Sequence, residues 1–221
     1  MYGGTCINVG CIPSKRLITE AATAPTSDFA AKAAYYKKAV EGKRELTGAL
    51  NKANYNKLIQ AGVEVIDGMA SFVDATHVEV KTKDGVLQLE GKQFVINTGA
   101  TSVIPGIPGV KDSDKVYTSE SMMDLDELPE KLTIVGGGYI GLEFAAMYAN
   151  FGSKVTVVQD IDAFLPREDK DIADNIRSVL EAKGIEIVTG AKTTKIDGAT
   201  LYYTVGDTDT VLEGDAILMA T

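Results

Sequence analysis

The sequence predicts an α/β fold: a nearly complete doubly wound domain joined to part of a second α/β domain that carries a small antiparallel meander. Three observations lead there. Beyond residue 130 apolar strand-like runs alternate with helix-like segments, the order that produces a parallel sheet with right-handed crossovers. A glycine-rich turn, Gly136-Gly137-Gly138, separates the first of those strands from the first of those helices. Between residues 63 and 96, short apolar runs are broken by Asp67-Gly68 and Asp84-Gly85, as in an antiparallel meander.

In chain order, the first segment holds both cysteines, Cys6 and Cys11, in Gly3-Gly4-Thr5-Cys6-Ile7-Asn8-Val9-Gly10-Cys11-Ile12-Pro13-Ser14-Lys15. Cys6 falls in a glycine-flanked loop, and Cys11 opens a helix-compatible stretch to Glu20 in which Pro13 suits the first turn. Asp28 to Ala61, rich in Ala, Lys, Glu and Leu, reads as one helix or two despite Gly42 and Gly48. Strands are expected at Val63–Ile66, Ala70–Val73, His77–Val80, Val86–Leu89 and Phe94–Ile96. The stretch from Asn97-Thr98-Gly99-Ala100 to Pro105-Gly106-Ile107-Pro108-Gly109 is too rich in Gly and Pro for a helix or central strand and serves as a linker. Then follow strand Leu132–Val135, helix Tyr139–Asn150, strand Val155–Val158, helix Asp169–Lys183, strand Ile185–Val188, a few short strands and a terminal strand Ala216–Met219. This division places one domain at 1–114 and a second at 115–221.

Gly136-Gly137-Gly138-Tyr139-Ile140-Gly141 fits G-x-G-x-x-G between a strand and an alanine-rich helix, the context in which the motif binds a dinucleotide. Gly136 permits the tight turn, Gly138 admits a pyrophosphate to the backbone, and Gly141 allows helix and strand to pack closely, with the phosphates at the helix N-terminus. The second strand ends in Gln159-Asp160, where an acid commonly binds the adenosine ribose. Gln159 can hydrogen-bond a 2′-hydroxyl without repelling a 2′-phosphate, Asp160 could serve the hydroxyl, and Arg167 is the nearby cation; NADH and NADPH both remain open.

Two cysteines so close, one in a loop and one at a helix start, suit thiol–disulfide exchange, which needs one sulfur open to a partner and one held against an electron source. Lys15 lies four residues beyond Cys11 on the same helical face, and with the helix N-terminus it favours a Cys11 thiolate. A structural disulfide belongs mainly to small secreted chains, and two buried free cysteines fit a Gly-Gly-Thr-Cys loop poorly. With one histidine in 221 residues, His77, a zinc site would need carboxylates or a second chain.

The net charge of −9 argues against nucleic-acid and anionic-membrane partners, which select for Lys and Arg clusters. The pairs Lys37-Lys38 and Lys43-Arg44 read as the solvated side of a helix. No apolar run approaches the length of a membrane span and no signal-peptide pattern opens the chain, so a cytoplasmic location is expected.

The paired cysteines, the strand-rich segment, Asn97-Thr98-Gly99-Ala100 and the glycine fingerprint, in that order, resemble the pyridine nucleotide–disulfide oxidoreductases. These flavoproteins include dihydrolipoamide dehydrogenase, glutathione reductase and mercuric reductase. Met1 to Lys15, Phe151 to Thr156 and Phe164 to Ile176 look most like the reactive-chlorine-resistance branch, whose members are associated with metal-ion reduction, particularly of copper(II). The resemblance implies that Cys11 contacts the flavin, Cys6 is the interchange thiol, and Lys15 lies by the flavin N5 paired with Glu143. It implies that Gly3, Gly4, Thr5 and the backbone around Thr98, Gly99 and Ala100 touch FAD, and that Gly136, Gly138, Tyr139, Ile140, Gly141, Gln159 and Asp160 bind NAD(P)H. Electrons would pass from NAD(P)H through FAD to a Cys6–Cys11 disulfide, and on to a disulfide or metal-ion acceptor.

The family pattern also implies an upstream unit with its own glycine fingerprint and a downstream domain that brings a histidine–glutamate pair and forms a homodimer. His77 matches no such position. The chain is therefore expected to be an internal fragment, inactive alone, that binds nicotinamide nucleotide and holds FAD weakly or not at all. Its part before Lys115 is expected to be loosely ordered or to expose a sheet edge. The alternative is a non-catalytic dinucleotide-binding module with vestigial cysteines.

Overall fold

A computed structural model describes residues 1–221. The N-terminal third is helical: α1 (Gly4–Asn8), α2 (Cys11–Ala22) and α3 (Phe29–Gln60). The alanine- and lysine-rich stretch forms one helix of 32 residues, started by the Asp28 side chain, which accepts from the Ala31 N–H at 2.9 Å. Gly42 and Gly48 lie inside it without ending it. Cys6, expected in a loop, lies within the short helix α1.

The antiparallel meander follows as β1 (Met69–Phe72), β2 (His77–Thr82) and β3 (Gly85–Glu90), paired in the order β1-β2-β3. Val63–Ile66 and Phe94–Ile96, expected as strands, lie outside any ladder. Both are apolar runs with no neighbouring strand to take up their N–H and C=O groups, and composition alone cannot make a strand. Val95 and Ile96 are 92% and 73% exposed.

The rest is built on a parallel sheet, whose strands are β4 (Val116–Tyr117), β5 (Lys131–Val135), β6 (Lys154–Val158), β7 (Glu186–Val188) and β11 (Ala216–Met219), ordered β4-β11-β5-β6-β7. Its helices are α4 (Ser119–Met122), α5 (Tyr139–Phe151) and α6 (Lys170–Ala182), while β8 (Ala191–Asp197), β9 (Thr200–Val205) and β10 (Thr208–Glu213) form a separate antiparallel sheet. The two-residue side-chain period of a strand divides the core. Ala216 and Leu218 of β11 join the helix-facing cluster, with Leu132, Ile134, Val155 and Val157. Ile217 and Met219 turn to the other face, with Val135, Val158, Leu201 and Tyr203.

Leu17 and Ala21 of α2 and Tyr36, Ala39 and Val40 of α3 belong to the same helix-facing cluster as Phe144, Met147, Tyr148 and Phe151 of α5. These helices are thus anchored in the core of the parallel-sheet unit, because their apolar stripe finds the outer face of α5, and of the two alternatives expected, loose order or an exposed sheet edge, loose order does not describe them. Every residue of β1 and β3 is exposed, so the open sheet lies in the meander.

Candidate functional site

Two clefts meet along the first turn of α5. The first, of about 540 Å³, is lined by Gly136, Gly137, Gly138, Tyr139, Gln159, Asp160, Arg167 and the chain end at Ala220 and Thr221, among others. It opens at the C-terminal ends of β5, β6 and β11, where ligands bind in open α/β sheets. Gly136 has φ 112°, and a Cβ there would lie 2.5 Å from the Ala220 carbonyl oxygen. A Cβ on Gly141 would lie 2.0 Å from the Gly136 carbonyl oxygen, so the turn closes directly onto the helix. Gly138 differs, for a Cβ there meets nothing within 4 Å. As the N-cap of α5 it has no side chain to bind the first N–H groups, which leaves an open, positively polarised helix end suited to a pyrophosphate.

Gln159 does not project freely into this cleft. It is buried, and its Nε2 donates to the carbonyl of Ala163 at 2.8 Å and of Ile161 at 3.4 Å. Its Oε1 is thereby turned to the glycine loop, 2.1 Å from where a Gly137 Cβ would stand. With the N–H₂ committed to carbonyls, the side chain offers the cleft an acceptor only. Asp160 is exposed at the rim, and Arg167 lines the cleft without an ion-pair partner. Tyr139, 64% exposed, donates its hydroxyl to Glu168, and that hydrogen bond raises its pKa.

The second cleft, of about 340 Å³, is lined by Val9, Gly10, Cys11, Ser14, Lys15, Ser119, Met123, Ile140, Glu143 and Phe144. Across it Lys15 of α2 pairs with Glu143 of α5, 128 positions away in sequence. Cys11 is the first residue of α2, and Ser14 Oγ donates back to its carbonyl at 3.3 Å. Cys6 and Cys11 are both exposed free thiols, the reduced form of the expected redox pair. The neighbouring Cys11 thiol, with some desolvation, raises the Cys6 pKa. Gly3, Gly4 and Thr5 lie exposed around the start of α1. Thr98, Gly99 and Ala100 are exposed too, and line neither cleft.

Leu165, Pro166, Ala220 and Thr221 line the nucleotide cleft, and Ser119 and Met123 the thiol cleft, without a sequence motif to signal them. The signal for Ala220 and Thr221 is topological: β11 lies beside β5, so the chain just past the terminal apolar run reaches the glycine turn.

Comparison with known proteins agrees with this arrangement. The chain is 42% identical over 222 residues to the Escherichia coli protein named "Probable pyridine nucleotide-disulfide oxidoreductase RclA", covering 100% of this chain and 48% of that one. It is 35% identical over 232 residues to dihydrolipoyl dehydrogenase of Acholeplasma laidlawii, covering 100% of this chain and 68% of that one. With mercuric reductase of Bacillus cereus it shares 34% identity over 232 residues, covering 99% of this chain and 36% of that one. The solved HOCl-induced flavoprotein disulfide reductase RclA from Escherichia coli superposes with a TM-score of 0.87 at 40% identity, over 100% of this chain and 48% of that one. Its copper(II) complex gives 0.86 at 39% identity, with the same coverage. The chain thus spans about half the length of the RclA protein it matches. The sequence pattern of the pyridine nucleotide-disulphide oxidoreductases matches residues 1–221, and the chain belongs to that family.

Proposed function

We propose that this chain is the thiol- and nucleotide-bearing part of an FAD-dependent oxidoreductase that carries electrons from NAD(P)H to Cys6 and Cys11 and on to a disulfide or metal-ion acceptor. One observation carries the reading: Tyr139 lines the nucleotide cleft and Ile140, the next residue, lines the thiol cleft. The first turn of α5 is thus a shared wall, and Glu143 on the same helix holds Lys15 of the cysteine helix. An electron carrier seated there would be in reach of both sides.

The residues present fit FAD on that wall. The thiol cleft is open, and it offers an ammonium, a carboxylate, a cysteine and the apolar faces of Ile140 and Phe144 to a flat heteroaromatic ring. FAD, when bound, accepts two electrons from a nicotinamide and passes them singly or in pairs. The chain's own residues do the rest. Glu143 fixes the Lys15 ammonium at the cleft, where it would favour negative charge on a bound flavin and on the Cys11 sulfur. Two electrons and two protons convert a Cys6–Cys11 disulfide to two thiols. The reverse change delivers them to a substrate disulfide, which becomes two thiols, or to metal ions, with the protons released. A metal-ion acceptor is supported by the mercuric reductases among the relatives and by the copper(II) complex of the similar RclA structure. We place the enzyme in the cytoplasm as a homodimer formed through residues outside this chain.

The test is anaerobic oxidation of NADH and NADPH by the full-length protein, with glutathione disulfide, lipoamide, copper(II) or mercury(II) as acceptor. Turnover with one of these, lost in Cys11→Ser, supports the reading. A full-length protein without flavin absorbance and without turnover leaves the dinucleotide-binding module with vestigial cysteines as the better account.

A further inference from the structure

Cys6 sits in a helix of five residues with no buried residue, so packing does not fix where its sulfur points. Hydrogen bonds do. Asn8, at the end of α1, donates through Nδ2 to the carbonyls of Tyr2 at 3.0 Å and Gly4 at 2.8 Å, which closes the turn in which Gly3 and Gly4 take φ values of 93° and 66°. Its remaining polar atom, Oδ1, accepts from Asn51 Nδ2 at 2.7 Å, and the same Asn51 nitrogen donates to the Tyr2 carbonyl at 3.2 Å. Asn51 belongs to α3, whose earlier turns are locked into the core through Tyr36, Ala39 and Val40.

We propose that Asn51 is a positioning residue for the redox pair: it ties the cysteine-bearing helix α1 to α3 and so holds Cys6 in register with Cys11. The proposal rests on the redox reading above. Cys11 has its own anchor, because α2 buries Leu17 and Ala21. Cys6 lies on a helix whose Ile7 is only half-buried, and this network holds it together with the Tyr2 contacts beside it, where the Tyr2 ring lies 4.8 Å from that of Tyr55 and its hydroxyl donates to Asp67 at 2.8 Å. Closing a disulfide favours two sulfurs already held close, since the effective concentration of one at the other sets the equilibrium. Loosening α1 dilutes Cys6 around Cys11 and makes the bond easier to reduce, while Cys11 stays in place.

The test uses the FAD-loaded full-length protein in glutathione buffers of graded ratio, with thiol trapping and mass spectrometry to read the Cys6–Cys11 bond. Asn51→Asp keeps the shape and loses both donated hydrogen bonds; Asn51→Ala removes them without adding a charge, which guards against misfolding caused by the new carboxylate. Each should shift the equilibrium toward the dithiol by threefold or more. Asn8→Ala should do likewise, and the Asn8→Ala/Asn51→Ala double variant should be no worse than the larger single effect, because the two act as one link. The long-wavelength absorbance of the Cys11 thiolate against flavin should be unchanged in the Asn51 variants. A shift under threefold in both Asn51 variants overturns the assignment, as does a double variant whose effects multiply. A wild-type pair that never oxidises removes the redox reading and this assignment with it; a pair that oxidises and ignores Asn51 removes the assignment alone.

Discussion

Tyr36 of α3 and Tyr148 of α5 share a buried hydroxyl-to-hydroxyl hydrogen bond of 2.9 Å. Each hydroxyl also lies within reach of a backbone carbonyl at the end of α4 or just after it, Tyr148 at 2.8 Å from Met122 and Tyr36 at 2.9 Å from Leu125, and because each phenol carries one proton, two of the three contacts are made at a time. Burial drives the pKa of both phenols up, so they act as neutral donors and acceptors at every physiological pH. The pair fastens the N-terminal helices to the parallel-sheet unit. Tyr148→Phe leaves the Met122 carbonyl only the longer bond from the Leu125 N–H, at 3.4 Å, and should cost about 1 kcal/mol, and Tyr148→Ala about 3–5 kcal/mol. Denaturant unfolding checks both, and hydrogen exchange in wild type should protect the first half of α3 as strongly as α5.

A second tie lies on the same face. Lys43 of α3 is almost wholly buried and pairs with Asp124, which also accepts from Arg44 Nε at 3.1 Å. Desolvation works to raise the Asp124 pKa, but the hydrogen bonds from Lys43 and Arg44 outweigh it, and the net direction is down. The stabilisation is therefore present above the unfolded value of about 3.9 and is lost as pH falls through the lower folded value. Asp124→Asn should flatten the fall in melting temperature below about pH 4. At pH 7 it should cost about 1–2 kcal/mol, less than a fully buried pair because Asp124 is half exposed.

The glycine turn separates fold from function. Gly138→Val places its side chain in open space, so the melting temperature should hold within about 3 °C while the binding of nicotinamide nucleotide, measured by calorimetry, disappears. Gly141→Val must displace the Gly136 carbonyl and should destabilise the protein by about 2 kcal/mol or more. Equal loss of stability in both variants would contradict the geometry.

Much of this was readable in the sequence, and the parts that were not have a common cause. The strands β5, β6 and β11 announce themselves as apolar runs, and Gly136 to Gly141 announces the turn between β5 and α5, because those signals are local. The orientation of Gln159 is not local: it depends on the carbonyls of Ile161 and Ala163 being folded back to meet its amide. Asn51 lies 43 positions from Asn8 and belongs to no motif. Phe94–Ile96 misleads for the opposite reason, since an apolar run signals a strand whether or not a neighbouring strand is there to pair with it.

Gln159 also sets an expectation for nucleotide choice. An acceptor can take a ribose 2′-hydroxyl but gives a 2′-phosphate no donor, and with no formal charge it opposes the phosphate far less than a carboxylate would, while Arg167 is at hand as a cation. Wild type should bind ADP-ribose and its 2′-phosphate within about tenfold of each other, or about 1.4 kcal/mol. Gln159→Glu puts a carboxylate at the glycine loop and takes the donor from the Ile161 and Ala163 carbonyls, so it should weaken both ligands, the 2′-phosphorylated one at least about tenfold more than ADP-ribose. Equal weakening of both would show that Gln159 supports the turn without selecting the nucleotide.

The cysteines should separate in chemistry as they do in place. Cys11 begins the core-anchored helix α2, across the cleft from the face of α5 that carries Ile140 and Glu143. Cys6 stands outside on α1, its pKa raised by the neighbouring Cys11. In the flavin-loaded protein, Cys11→Ser should abolish the long-wavelength thiolate-to-flavin absorbance, and Cys6→Ser should preserve it. Alkylation gives the complementary reading, since only the thiolate reacts. Removing the neighbour that holds the Cys6 proton lowers its pKa, so the midpoint of its alkylation rate should move to lower pH in Cys11→Ala. Flavin reduction by nicotinamide precedes the sulfur chemistry and should survive every one of these substitutions. A Cys6 midpoint that ignores Cys11, together with identical spectra for the two serine variants, would mean that the sulfurs do not work as a pair.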